Sequence, residues 1–303
     1  MQQTILQKSK YVIKALAEDF LLLEPGDRVN SVSYYQERFQ VARGTVQNAI
    51  AYLQNEGAIS LVGKGRNGAV ATSVNYTKLQ SYCMPRTVLG VMPLSYTITS
   101  QGLATGLYKA LNKINCSLVY TRGARIRIQM VLERKCQFAL CSRNSAEIAL
   151  RDQLPIRILF DFGAGTYMPD HALVFRQPDK NCIEPHMRVA YDPDSSDQKD
   201  IIDLLTKDVT PLNLVKVKTF QTLNALRSGV IDVGVWNVDE LLLNTDLHHC
   251  PIDPSLTERF STAVLIAAKD DVAVERMLQK YIDVESVRSI QRDVKEGRIF
   301  ADF

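Results

Sequence analysis

Between residues 33 and 66 the chain sets out side chains of one chemical character. Arg43, Thr45, Gln47 and Asn48 fall within six residues, with Ser33 ahead of them and Lys64 and Arg66 behind. Guanidinium, ammonium and hydroxyl groups are the donors that reach phosphate oxygens. The amides of Gln47 and Asn48 have the geometry to pair bidentately with an adenine edge in a major groove. Lys64 and Arg66 are interleaved with Gly63, Gly65 and Gly68. A glycine-rich turn tip there would carry both cations towards a phosphate backbone or a minor groove. The set is what a surface facing double-stranded DNA requires.

A second set is scattered through the rest of the chain. Ser95 and Tyr96, Ser142 and Arg143, Asp194 and Ser195, and Trp236 and Asn237 each follow an apolar strand-like run or precede a helical one, and Thr166 lies in a further flexible loop, Gly163–Tyr167, near the lobe crossover. Ligands of open α/β sheets sit beyond the C-terminal ends of strands, and helix N-termini there favour anions. Hydroxyls, one guanidinium, a carboxylate and aromatic faces would suit a small polar or zwitterionic metabolite. Catalysis finds no comparable set. His248-His249-Cys250 are consecutive and have no matching His or carboxylate pattern nearby, so a solvated loop is expected rather than a metal site. Cys136 and Cys141 are expected in the core. There is no GxSxG, no phosphate loop and no GxGxxG after a strand. No catalytic residue, metal or cofactor is expected.

The elements that must hold these groups follow from periodicity. Tyr11–Leu23 has helical apolar spacing and ends at Pro25-Gly26. Ser31 or Ser33 would cap a helix through Tyr34–Phe39. Gln40–Arg43 is a tight connection. Gly44–Asn55 is a third helix with Val46, Ala49, Ile50 and Leu53 on one face, and Gly57 lies at its C-terminal end. Ala58–Val62 and Ala69–Val74 form a hairpin. Helix, helix, turn, helix, hairpin is the order of a winged helix-turn-helix, an α+β unit whose third helix enters the major groove. Tyr76–Arg86 reads as a polar linker. From Thr87 strands and helices alternate, which predicts parallel α/β layering. The division expected is a DNA-binding domain over 1–80 and an effector-binding domain over 81–303.

The chain has 303 residues, 46% hydrophobic and 23% charged, enough to bury two cores. Its net charge of +3 sits in one place: residues 1–80 carry nine Lys/Arg and six Asp/Glu, and the remainder carries 27 of each. An excess confined to the front suits a polyanion partner there. No apolar run approaches membrane-spanning length, and the N-terminus lacks a secretory pattern. Six scattered cysteines without CxxC suit reduced thiols, so a cytoplasmic protein is expected.

Pro25-Gly26-Asp27-Arg28, Arg43-Gly44-Thr45-Val46, Ala49, Leu53, Glu56-Gly57 and Gly63–Gly68 fall in register with the GntR-type winged-helix regulators, which this segment of about 60 residues resembles. Ala42 stands where that family usually has Ser, and Gln47 where it usually has Arg. The run Gln221–Val235 is similar to the helix, glycine turn and buried strand of type II periplasmic-binding-protein domains. The two together most resemble the YhfZ family, in which a GntR-like winged helix precedes a two-lobed domain of that kind. The resemblance implies an α/β chain that binds an operator and a metabolite in its cleft and acts as a homodimer, with no membrane partner. An enzyme on the same two-lobed fold, and a sensor that acts through protein partners without DNA, are the alternatives.

Overall fold

In the computed structural model, residues 2–63, 69–85, 87–241 and 246–303 are described. Contacts divide the chain into two units. One gathers Met1–Val88, Ala110–Ser117 and Asp271–Ile282, and the other holds the rest.

The first unit begins with α1 (Gln2–Phe20), β1 (Arg28–Val29), α2 (Val32–Phe39), α3 (Arg43–Asn55), β2 (Ile59–Gly63) and β3 (Ala69–Val74). Val12, Leu16, Ala17 and Phe20 form the buried stripe of α1, against Val46, Ala49 and Leu53 of α3 and Tyr35 and Phe39 of α2. A fully buried Leu or Phe of this kind contributes roughly 2 kcal/mol. Ser31 caps α2, accepting from the Tyr34 N–H at 3.1 Å. At the end of α3 the Gly57 N–H returns to Gln54 O and the Ala58 N–H to Leu53 O, the paired bonds of a Schellman end. β2 and β3 pair antiparallel, and β1 adds to the free side of β3, giving the order β1-β3-β2. The hairpin tip lies outside the described residues.

The polar join expected at 76–86 is instead a helix, α4 (Tyr76–Cys83), capped by Asn75 and burying Leu79, Gln80 and Cys83. Gln80 is fully buried because its amide is answered: it donates to Asn115 O and accepts from Asn115 N, both at 2.9 Å. A late helix, Val272–Tyr281, also belongs to this unit. Its Tyr281 hydroxyl donates to Leu21 O at 3.1 Å, and its ring stands perpendicular to Tyr76 at 5.9 Å.

The second unit is two-lobed. The first lobe's sheet orders as β5-β4-β6-β13-β7, from β4 (Val88–Met92), β5 (Cys116–Tyr120), β6 (Phe138–Ser142), β7 (Ile156–Asp161) and β13 (Ala263–Ala268). The other lobe's sheet orders as β10-β9-β11-β8-β12, from β8 (His171–Phe175), β9 (Arg188–Tyr191), β10 (Asn213–Lys216), β11 (Val233–Asn237) and β12 (His248–Pro251). The helices are α5 (Ile98–Ala110), α6 (Ala124–Leu132), α7 (Arg143–Arg151), α8 (Ser196–Leu205), α9 (Thr222–Arg227), α10 (Val238–Leu241), α11 (Pro254–Ser261), α12 (the Val272–Tyr281 helix of the first unit) and α13 (Val284–Lys295). The layering is mixed rather than parallel. β13 runs antiparallel to both β6 and β7, and β8 antiparallel to β11 and β12. The chain crosses between lobes after β7 and returns after β12, and each return reverses a strand. Gly106 of α5 lets α13 in close: a Cβ there would lie 2.9 Å from the Val287 backbone oxygen.

The Gln221–Val235 run shows why its residue types occur. Thr222, Leu223, Ala225 and Leu226 are buried, and Gly229 turns the chain with φ +73. Asp232 then accepts from Arg188 N at 3.0 Å, Arg188 Nε at 2.9 Å and Nη2 at 2.7 Å, and from Arg176 Nε at 3.2 Å. The Arg188 hydrogen bonds hold its carboxyl well below the usual range, at about 2. A depressed carboxyl stabilises the fold above its unfolded value of 3.8 and loses that contribution as pH falls through about 2. Asp232→Asn is expected to cost about 2 kcal/mol at neutral pH. Urea unfolding followed by the fluorescence of Trp236, the one tryptophan, reads it, and the gap between variant and wild type should shrink in acid.

Candidate functional site

On α3 the inward positions Val46, Ala49 and Leu53 leave Arg43, Gln47 and Asn48 exposed on the opposite face, with Thr45 half-buried. Ser33, exposed on α2, accepts from Arg43 Nη1 at 3.4 Å. These residues therefore share one solvent face of the helix-turn-helix. Ala42 precedes α3 without a side-chain cap, so the positive end of that helix stays open. Lys64 and Arg66 lie outside the described residues.

In the second unit Ser142 caps α7, accepting from the Ser145 N–H at 3.1 Å. The first turns of α7 and α8 meet across the lobes. Asp197 of α8 takes three donors from α7 on one oxygen: Ser142 Oγ at 2.9 Å, Asn144 Nδ2 at 3.1 Å and Ser145 Oγ at 3.2 Å. Asn144 also donates to Asp200 at 3.0 Å, and the Ser145 and Ser196 hydroxyls lie 3.0 Å apart. Burial pushes the Asp197 carboxyl up; the three donors and the charge of Arg127 pull it down by less. Arg127 of α6 is 1% exposed. It donates to Leu140 O at 2.8 Å, Thr121 O at 2.9 Å and the Tyr167 hydroxyl at 2.9 Å, and among the described residues no carboxylate lies within 4.0 Å of it. A second contact crosses the lobes where the Arg122 guanidinium stands 4.0 Å over the Phe220 ring and 5.9 Å from Tyr96.

The other residues singled out from the sequence fall as follows. Arg143 turns from this seam to Asp161, with Nε–Oδ2 at 2.8 Å, and to Glu258 at 3.7 Å. Asp194 pairs with Lys218. Ser195 caps α8, accepting from Gln198 N at 3.4 Å. Thr166 is buried; its hydroxyl donates to Gly163 O and accepts from Ala263 N at 3.0 Å, which ties the crossover loop to β13. Trp236 and Asn237 do not follow a strand but end one, β11, and both are buried. The Trp236 Nε1 and Ser95 Oγ atoms are buried without a hydrogen-bond partner among the described residues. Tyr96 is exposed. His248-His249-Cys250 is not a solvated loop but lies in the half-buried edge strand β12, paired with β8. Consecutive polar residues paired at a sheet edge have the composition of a loop.

Residues 75–302 match a family model described as the YhfZ C-terminal domain, and residues 24–70 match a helix-turn-helix domain. The chain belongs to the YhfZ family. The protein YhfZ of Escherichia coli strain K12 is 27% identical over 301 residues, covering 98% of each chain. The crystal structure of YhfZ from Shigella flexneri is similar with a TM-score of 0.63 and 28% identity, over 75% of this chain and 97% of that one. The alkanesulfonate-binding protein SsuA of Xanthomonas axonopodis pv. citri shares the fold at 10% identity, with a TM-score of 0.54 over 71% of this chain and 76% of that one. This member of the YhfZ family thus has an N-terminal helix-turn-helix and a C-terminal domain of the periplasmic-binding-protein fold.

The cleft stretches read from the sequence, Ser142–Asn144 and Asp194–Asp197, contain Asn144 and Asp197 without singling them out, and Ser145 and Arg127 were missed. Arg127 lies within a helical apolar pattern, where only its burial distinguishes it from a surface arginine. Another buried titratable group is His171, 3% exposed, whose Nδ1 lacks a partner among the described residues. Burial lowers its imidazole from 6.5 to about 4. The neutral ring therefore stabilises the fold fully above 6.5, and that contribution, about 3 kcal/mol, is lost as pH falls towards 4. Wild-type thermal stability is expected to drop across this window, with a shallower slope in His171→Gln, measured by differential scanning fluorimetry.

Proposed function

We propose that the chain is a ligand-responsive transcriptional regulator, with residues 1–80 binding double-stranded DNA and residues 81–303 binding a small polar or zwitterionic metabolite between the lobes. The observation that carries this reading is the exposed face of α3, where Ser33, Arg43, Gln47 and Asn48 stand together above a core made by Val46, Ala49 and Leu53. Helix-turn-helix proteins use this face in the major groove. The open N-terminus at Ala42 offers unshielded dipole to a phosphate. Lys64 and Arg66 add cations to the same domain.

The regulator acts in the cytoplasm as a homodimer on a two-fold operator, its half-sites a helical turn apart. Among the described residues no helix is long and apolar enough to cross a membrane, and a DNA partner places the protein with the nucleoid. Effector binding changes the population of lobe arrangements rather than a bond, so no catalytic residue or cofactor is assigned.

Fluorescence anisotropy against fragments of the source genome tests this reading. A preferred fragment is expected, with affinity falling steeply as salt rises. Arg43→Ala should weaken that affinity about ten-fold and lower the salt slope by about one. Equal, weak affinity for every fragment at low salt would remove the DNA assignment.

A further inference from the structure

The seam between the lobes is lined with hydrogen-bond donors. On the first lobe, Ser142, Asn144 and Ser145 converge from the opening turn of α7, and all three are at least nine-tenths buried. On the other lobe α8 begins at the same seam, as the Ser145–Ser196 hydroxyl pair shows. Two helix N-termini that meet bring like partial charges together, and only an anion between them makes the approach favourable. Arg127 is an independent sign. A buried guanidinium ordinarily has an ionised partner. This one has two carbonyls and a phenol, and its field acts on Asp197.

We propose that Asp197 is a built-in occupant of an anion seat: it holds the lobes together when no effector is present, and the effector's own carboxylate or other acidic group takes its place. The proposal rests on the reading of the cleft as the metabolite site and assigns that metabolite an acidic group. Asp197 is suited to being displaced. Its three bonds fall on one oxygen, and its burial outweighs what those donors return. A diffusible acid free to use both oxygens, in the same field of Arg127, would hold the seat better. Asn144 is the shared clamp, since it also grips Asp200 of α8.

The test uses the full-length chain without added metabolite. Small-angle X-ray scattering gives the radius of gyration of wild type, Asp197→Ala and Asn144→Ala, and far-ultraviolet circular dichroism checks the fold of each. Asp197→Ala is expected to have the larger radius, and Asn144→Ala a smaller increase in the same direction. Sodium acetate should restore the wild-type radius of Asp197→Ala and raise its melting temperature, whereas sodium chloride at equal ionic strength should not. The double variant Asp197→Ala/Asn144→Ala should not be restored. An unchanged radius in Asp197→Ala, rescue by chloride as well as acetate, or equal action of acetate on wild type each overturns the proposal. If Asp197→Ala does not fold, Asn144→Ala decides, and an unchanged radius there is equally fatal. The two readings separate cleanly. Reclosure of Asp197→Ala by acetate, with no metabolite stabilising wild type, keeps the latch and removes the effector reading. A stabilising metabolite with no opening in Asp197→Ala does the reverse.

Discussion

Where the two lobes of the C-terminal domain meet, one carboxylate lies between two helix N-termini. Each lobe has its own sheet and its own apolar clusters. Across the cleft they meet at Asp197, with Ser142, Asn144 and Ser145 around it, and where Arg122 stands over Phe220. Polar contacts of this kind are individually modest, because water competes for every partner when the seam opens. That is the energetic range the proposed ligand response requires. An apolar seam of the same size would hold the lobes shut beyond the reach of a small molecule's binding energy.

The helix-turn-helix was legible in the sequence because its signals are local. A 3.6-residue stripe fixes Val46, Ala49 and Leu53 inward, and the glycine at 57 sits at the helix end it was expected to mark. The alternation of strands and helices expected from Thr87 onward is present, since apolar runs such as Ala263–Ala268 have few alternatives. Strand direction was not legible. β13 is inserted antiparallel between β6 and β7 by a chain return from the other lobe, and nothing in the run itself records that.

The polar segments were misread for a related reason. Tyr76–Cys83 presents few apolar residues, and its helix is secured by a buried amide, Gln80, whose partner Asn115 lies 35 residues away. Asp197 and Arg127 differ from surface charges only in what surrounds them. The sequence marked the helix N-termini at Ser142 and at the start of α8, because caps announce them. It did not reveal which side chain bridges the two, since that depends on how two lobes meet and not on either stretch alone.

The distribution of segments between the units carries a consequence for how the molecule is built. The first unit does not end with its hairpin. Leu79 of α4, and Met277 and Leu278 of α12, are fully buried, and both helices belong to that unit together with residues 110–117. The Tyr281 hydroxyl bonds Leu21 O, and Lys280 reaches Glu24 at 3.4 Å, so the end of α1 is held by residues some 260 positions later. α12 is flanked in sequence by β13 and α13, both in the second unit. The helix-turn-helix core is therefore completed by a segment that the larger domain delivers at both ends. A unit joined by one tether would share nothing with the rest of the chain, whereas this one draws α12 from between β13 and α13 of the second unit.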